Sequence, residues 1–383
     1  MQHKLGIGKY LDGNAGAIFP ELAIMSLSLS TQLGGPVLPD SFLGGSAPRL
    51  RSLRLDNIPF PGLPKLLSSV THLVHLYLPD IPPSGYISPE AMATCLSTLT
   101  SLETLSLGFD YLQFHSYPDL SQGPFSPNRS VLPTLAIFWF NGKIKYLEEF
   151  VAHIDTPRLS WLSTKFFEID FDTPELNQFI SRTPTLGAYN EAHIFFHNDG
   201  ARVKLVQSHP ESSDPSDDRM VGIETPDMSL STTVQICTLL SRRLLLTTED
   251  LFIGGEPYSQ LHRNDHNNSE WLDLLLPFTT VKNLHLSELF STRIALVLQD
   301  LTEERTTEVL PALQNVIMGG SRPSKPAQNI SKLAENFFEL ARARTSSYEL
   351  GQAKKPGKHH KCQSNVYFRQ KLIPNISSKV KML

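Results

Sequence analysis

Leucine recurs along this chain in one unequal rhythm, L-x-x-L-x-L, and that rhythm constrains the fold more than any other feature. It runs through Leu50, Leu53 and Leu55, then Leu73, Leu76 and Leu78, then Leu102, Leu105 and Leu107. An earlier copy holds Leu22, Met25 and Leu27, and looser copies hold Leu135, Phe138 and Phe140, then Leu159 and Leu162. The rhythm returns at Leu251 and Ile253, at Val281, Leu284 and Leu286, and at Leu313, Val316 and Met318. Between central apolar residues the first five steps are 28, 23, 29, 33 and 24 residues, and the last two are 33 and 32. Recurrence on that scale marks supersecondary units that cannot bury their apolar faces singly and must stack.

Alternating apolar positions place side chains on one face of a strand. The intervening segments read differently. "SPEAMATCLSTL", "GKIKYLEEFVAHI", "TPELNQFISRT", "SEWLDLLLPF" and "ELFSTRIALVLQDL" carry apolar residues three and four apart, the pattern of amphipathic helices. Ser88-Pro89 and Thr173-Pro174 supply an N-cap residue followed by proline at the first helical position. One strand and one helix per unit is the leucine-rich-repeat plan, an α/β solenoid or horseshoe with parallel strands on the concave face and helices on the convex face. The ninth position of the unit, usually Asn or Cys, holds Ile58, Ile81, Asp110, Phe167 or Leu289. The usual side-chain ladder is therefore expected to be mostly missing and the solenoid irregular.

These patterns divide the chain into a lead-in (1–19), a repeat body (20–325), a C-terminal helix (326–344) and a basic tail without regular structure (345–383). Two insertions interrupt the body, near 111–130 and 190–245. In the second, "EAHIFF", "ARVKLVQ" and "MVGIET" read as three strands of a meander, separated by the turn-rich "HNDG" and "HPESSDPSDD".

With the leucines turned inward, the residues between them project from the inner curve. They include Ser52, Arg54 and Asp56, His75 and Tyr77, Thr104 and Ser106, Ile137 and Trp139, Trp161 and Ser163, Asp250 and Phe252, and Asn283 and His285. Aromatic and Arg anchors dominate protein-binding energies. The expected protein-binding surface is thus Arg54, Asp56, His75, Tyr77, Trp139, Trp161, Phe252 and His285. The competing expectation makes Trp139 and Trp161 ordinary core residues, because large aromatics are usually mostly buried.

Charge and motif content exclude other classes. Residues 345–383 carry eight Lys or Arg against one acid, so a chain of net charge −4 has a body of −11. An acidic body argues against nucleic-acid binding, which needs concentrated positive charge. No run approaches 18 uninterrupted apolar residues, and "MQHKLGIGKYLDGNAGAIFP" lacks a secretory apolar core. The expectation is no membrane span, with location in the cytoplasm or nucleus. Cys95, Cys237 and Cys362 are expected to stay reduced. No phosphate loop, H-E-x-x-H or paired C-x-x-C occurs. His262 and His266 in "HRNDH" and the "HHKC" group (His359, His360, Cys362) read as solvated surface and tail. Glu148-Glu149 and Glu303-Glu304 read as solvated helix acids. No enzyme, cofactor or metal is expected.

Finally, "GGSAPRLRSLRLDNIPFPGLPKLL", "SGYISPEAMATCLSTLTSLETLSLGF", "FISRTP" and "RTTEVLPALQNV" resemble the leucine-rich-repeat bodies of F-box proteins of mushroom-forming fungi, over roughly residues 20–325. The resemblance implies a substrate-binding body of a cullin-RING ubiquitin ligase, with a Skp-type adaptor and a cullin as partners. The F-box itself is not recognisable in "LGIGKYLDGNAGAI". A stand-alone interaction or decoy protein without ligase docking is the alternative, and "KKPGKHHK" could direct the chain to the nucleus or an acidic surface.

Overall fold

The computed structural model describes residues 21–29, 37–45, 47–109, 129–168, 173–207, 219–227, 229–240, 244–256, 268–299 and 308–319, together with the backbone of three later strands. The first elements are β1 (Ile24–Ser28), β2 (Ser52–Asp56), α1 (Leu63–Leu67), β3 (His75–Ile81), α2 (Pro89–Leu96), β4 (Thr104–Phe109), β5 (Ser130–Val131), β6 (Ile137–Gly142), α3 (Ile144–Ala152), β7 (Ile154–Asp155), β8 (Trp161–Phe166) and α4 (Pro174–Arg182). They are followed by β9 (Glu191–His197), β10 (Gly200–Gln207), β11 (Arg219–Thr225), α5 (Leu230–Leu239), β12 (Asp250–Gly255), α6 (Asn268–Leu275), β13 (Asn283–Ser287), α7 (Glu288–Gln299) and β14 (Asn315–Gly319). The last strands are β15 (Tyr348–Gly351), β16 (Val366–Gln370) and β17 (Lys379–Met382). The fold is mixed α/β, its strands mostly parallel. Among the described residues no helix is long and apolar enough to cross a membrane.

The chain forms two compact units, Met1–Gly187 with Arg219–Thr225, and Ala188–Asp218 with Pro226–Leu383. In the first, β1, β2, β3, β4, β6, β8 and β11 lie side by side, each parallel to the next. Register puts Met25, Leu53, Leu76, Leu105, Phe138, Leu162 and Val221 in one row across the strands. All seven are buried. The helical side packs against this row: Phe138 meets Phe150 of α3 at 5.6 Å between ring centroids, and Phe140 stacks on Tyr146 at 6.0 Å.

The unequal rhythm has a geometric cause. In five successive copies the first leucine lies in a turn before the strand, where its N–H bonds the carbonyl three residues back: Leu50 to Ala47, Leu73 to Val70, Leu102 to Leu99, Leu135 to Leu132 and Leu159 to Thr156. Only the second and third leucines alternate along the strand. The expected alternation on one face therefore holds for two of the three positions. After the turn, two successive N–H groups bond one carbonyl of the preceding layer. Val74 and His75 bond Arg51, Glu103 and Thr104 bond Val74, and Ala136 and Ile137 bond Glu103. The second unit repeats the device, with Lys282 and Asn283 on Glu249 and Gln314 and Asn315 on Lys282. One backbone connection, repeated layer by layer, satisfies the groups between turn and strand.

The helices form where the 3–4 spacing places them. Ser88 caps α2 as expected, its hydroxyl accepting from the Ala91 N–H at 3.3 Å. Thr173 does not cap α4 with its side chain. Glu148 of α3 does so instead, its carboxylate accepting from the N–H groups of Glu175 and Leu176, both at 2.8 Å. Glu148 is buried, which corrects its reading as a solvated acid, and Glu149 is partly buried. At the other end of α4, the Arg182 guanidinium donates to the Val151 and Ile154 carbonyls and to Asp155 Oδ1. An anion thus sits at the start of α4 and a cation at the end of α3, where each helix dipole favours them.

In the second unit β9 and β10 form an antiparallel hairpin across Asn198-Asp199, and β9, β12, β13 and β14 run parallel. The expected strands all form, but not as a meander: β11 lies parallel to β8 in the first unit, while β9 joins β12. Trp271 of α6, Phe290 of α7 and Phe196 of β9 are buried together, with Trp271 and Phe290 centroids 5.7 Å apart and Phe196 and Phe290 5.4 Å apart. Residues 345–383, read from sequence as an unstructured tail, contain β15 to β17, antiparallel to one another with β17 parallel to β14. Val366, Tyr367 and Phe368 are the β-forming residues there. The lead-in (1–19), the helix at 326–344, Glu303-Glu304 and the "HRNDH" and "HHKC" groups fall outside the described residues, as does nearly all of the 111–130 insertion.

Candidate protein-recognition surface

Parallel sheets are ordinarily covered on both faces, and their strands then read as continuous apolar runs. These strands alternate instead. In β2, β3, β6, β8, β12 and β13 each buried residue is followed by one that is half-buried or exposed. In each unit the face away from the helices is therefore open over much of its area, and each of the eight expected surface residues lies on the open face of its own unit.

Six of the eight lie in the first unit. Register aligns Arg54 with Tyr77, Tyr77 with Ser106, Ser106 with Trp139 and Trp139 with Ser163. Tyr77 and Trp139 are two strands apart, about 9–10 Å of backbone, yet their rings stack with centroids 6.4 Å apart and planes 26° from parallel. They lean together over Ser106, whose small side chain leaves the gap. His75 stacks on Tyr77 at 6.3 Å. Arg54 is exposed and donates to Asp56 at 2.9 Å, holding the guanidinium over the face. Trp161 lies two strands from Thr104, in the row of His75. Trp139 and Trp161 are half-buried, so neither is an ordinary core residue.

Phe252 and His285 belong to a second cluster, in the second unit. Register sets His193, Phe252 and His285 side by side on β9, β12 and β13. Phe252 is sandwiched, 4.4 Å from the His193 ring at 4° and 4.0 Å from the His285 ring at 17°. Each imidazole is held by a carboxylate of the neighbouring row: His193 Nε2 lies 3.1 Å from Glu191, and His285 Nε2 lies 3.1 Å from Asp250. Asn283 donates to Asp250 at 2.9 Å, and Asn315 donates to Asn283 at 2.6 Å. A side-chain ladder does exist, at the start of these strands rather than at the ninth position. His193 and Glu191 were missed because "EAHIFF" broke the leucine rhythm; its own alternation gives the signal.

Both clusters consist of planar rings, tethered charges and half-exposed amides. Among the described residues no group of three His, Cys, Asp or Glu could hold a metal. Cys95 and Cys237 are unpaired, and burial pushes the Cys237 thiol up to about 12. Burial also lowers the His193 pKa, outweighing the hydrogen bond and charge of Glu191, with Lys204 and His285 adding to the lowering. A histidine depressed below its unfolded value contributes stability above that value, about 6.5, and loses it as pH falls. Stability is expected to drop between about pH 7.5 and about pH 5.5, and His193→Gln should flatten that drop. Urea midpoints at the two pH values measure it.

No family model matches the chain, and no curated protein matches it. Among solved structures the chain is similar to the leucine-rich repeat-containing protein LegL7 from Legionella pneumophila, at a TM-score of 0.30 and 11% identity over 82% of this chain and 89% of that one.

Proposed function

We propose that this chain is a non-enzymatic protein-recognition module that binds a segment of another protein on the open face of its strands. The observation that carries the reading is the stacked Tyr77–Trp139 pair beside Arg54, half-buried to exposed on a face whose alternation leaves it uncovered. Rigid aromatics and Arg are the residues that concentrate binding energy. The layered backbone connections support stacking as an irregular leucine-rich-repeat solenoid, with the open face concave. The sequence resemblance extends the proposal to a finer role, the substrate-binding part of an F-box protein of a cullin-RING ligase, in the cytoplasm or nucleus. Where the adaptor does not bind, the same surface serves a stand-alone interaction protein.

Affinity capture tests both levels. Wild-type chain and the Tyr77→Ala/Trp139→Ala variant are used to capture partners from extract of the native cells. The expected result is a partner retained by wild type and weakened at least about thirtyfold in the variant, since two anchors at about 2 kcal/mol each exceed that. The unfolding midpoint should be nearly unchanged, because neither ring is core. Co-recovery of a Skp-type adaptor and a cullin supports the ligase role; a partner without them supports the stand-alone role. Equal capture by both proteins would remove this face from recognition.

A further inference from the structure

The open face of the first unit is not flat. Beside Trp139 lies a depression of about 280 Å³, below the roughly 300–1,000 Å³ of small-molecule sites and suited to one side chain. Its floor exists because Ser106, Gly108 and Ser163 are small where their neighbours in register, Trp139 and Asn141, are not. One wall is the Trp139 ring. Opposite, β3 shifts register between Leu78 and Ile81, and Asp80 adopts a left-handed φ of 53°. Such bulges re-aim side chains, and this one sets Asp80 at the edge of the depression. Lys165 and Glu224 close the third side, paired at 2.7 Å with side chains 48% and 19% exposed. Asn141 Oδ1 is buried there, with no hydrogen-bond donor among the described residues.

These features select one chemistry. An aromatic face attracts a cation, a buried acceptor needs a donor, and the carboxylates of Asp80 and Glu224 line the same depression. The body that surrounds the site carries −11. We propose that this depression is a pocket for a basic side chain, arginine above all, of the bound protein segment. A guanidinium lies flat on Trp139, donates to Asn141 Oδ1 and reaches Glu224 and Asp80 with its remaining N–H groups, which a planar five-donor fork does better than an ammonium. The inference rests on the recognition role proposed above and names the partner's chemistry. Lys165 acts as a placeholder: its pair with Glu224 is half-exposed and weak, so an incoming guanidinium can share or replace it.

The test uses the full chain labelled with ¹⁵N at its tryptophan indoles and titrated with N-acetyl-arginine methylamide, with the isosteric N-acetyl-citrulline methylamide as the uncharged probe. The Trp139 signal is assigned through Trp139→Phe. The expected result is a saturable shift of the Trp139 indole with the arginine probe and none with citrulline. Glu224→Gln and Asp80→Asn should each weaken binding, together by about tenfold; asparagine tolerates the left-handed backbone that Asp80 occupies. Lys165→Met should tighten binding, a sign that simple loss of surface structure cannot produce. No saturable Trp139 shift, equal response to citrulline, or weaker binding in Lys165→Met would overturn the pocket. If partner capture still depends on Tyr77 and Trp139 in that event, the recognition face stands and only the arginine pocket falls. If arginine binds while capture proves independent of those residues, the pocket stands and the recognition role falls.

Discussion

Phe138→Ala should destabilise the first unit by about 3–5 kcal/mol, the range for truncating a fully buried phenylalanine. Phe138 has no exposed surface, and its register neighbours Leu105 and Leu162 are equally enclosed. Its ring packs on Phe150 of α3, so the lost side chain leaves a hole between strand and helix that either can fill only by moving. Layers joined to their nearest neighbours share such damage locally. Hydrogen exchange should therefore show protection lost first at β4, β6, β8 and α3. Loss confined to β6 would mean that the layers are independent, and a shift below about 1 kcal/mol would mean that the site collapses without cost.

Glu148→Ala should cost about 3 kcal/mol, although the residue belongs to an amphipathic helix whose acids look dispensable. The carboxylate accepts two backbone N–H bonds at 2.8 Å from the first turn of α4, and Thr173 supplies no alternative. Charged acceptors are worth about 1.5–3 kcal/mol each, and unsatisfied buried donors penalise the variant further. Glu148→Gln keeps an acceptor oxygen but loses the charge facing the helix dipole, so it should recover about half of the loss. Chemical denaturation of the three proteins checks the order. If glutamine matches alanine, charge rather than hydrogen bonding dominates; if alanine matches wild type, water or another group caps α4.

The leucine rhythm made the strands legible because alternation is a local property: Leu53 and Leu55, or Leu284 and Leu286, fall on one face wherever the strand goes. It could not show that Leu50 and Leu73 belong to turns, since a turn leucine and a strand leucine look alike in spacing. Residues of the open face were legible where they alternated with the apolar positions of the rhythm, as Tyr77 does between Leu76 and Leu78 and Trp139 between Phe138 and Phe140. The rest depends on distant partners. Glu148 meets residues 27 and 28 positions on, and His193 meets Phe252 and His285 only because β9 pairs with β12. The destination of β11 beside β8 has no signature in "MVGIET". The turn of Asp80 into the depression follows from a bulge that no periodicity announces.

Site-directed photo-crosslinking tests the central claim most directly. A benzophenone amino acid is placed at Arg54, exposed on the open face of β2, and separately at Glu90, exposed on α2. Both chains are then irradiated in extract of the native cells. A discrete crosslinked species from position 54, competed by unlabelled wild-type chain and absent from position 90, is what a recognition surface on the open strand face predicts. A competed crosslink from position 90 with none from position 54 would place recognition on the helices and contradict it.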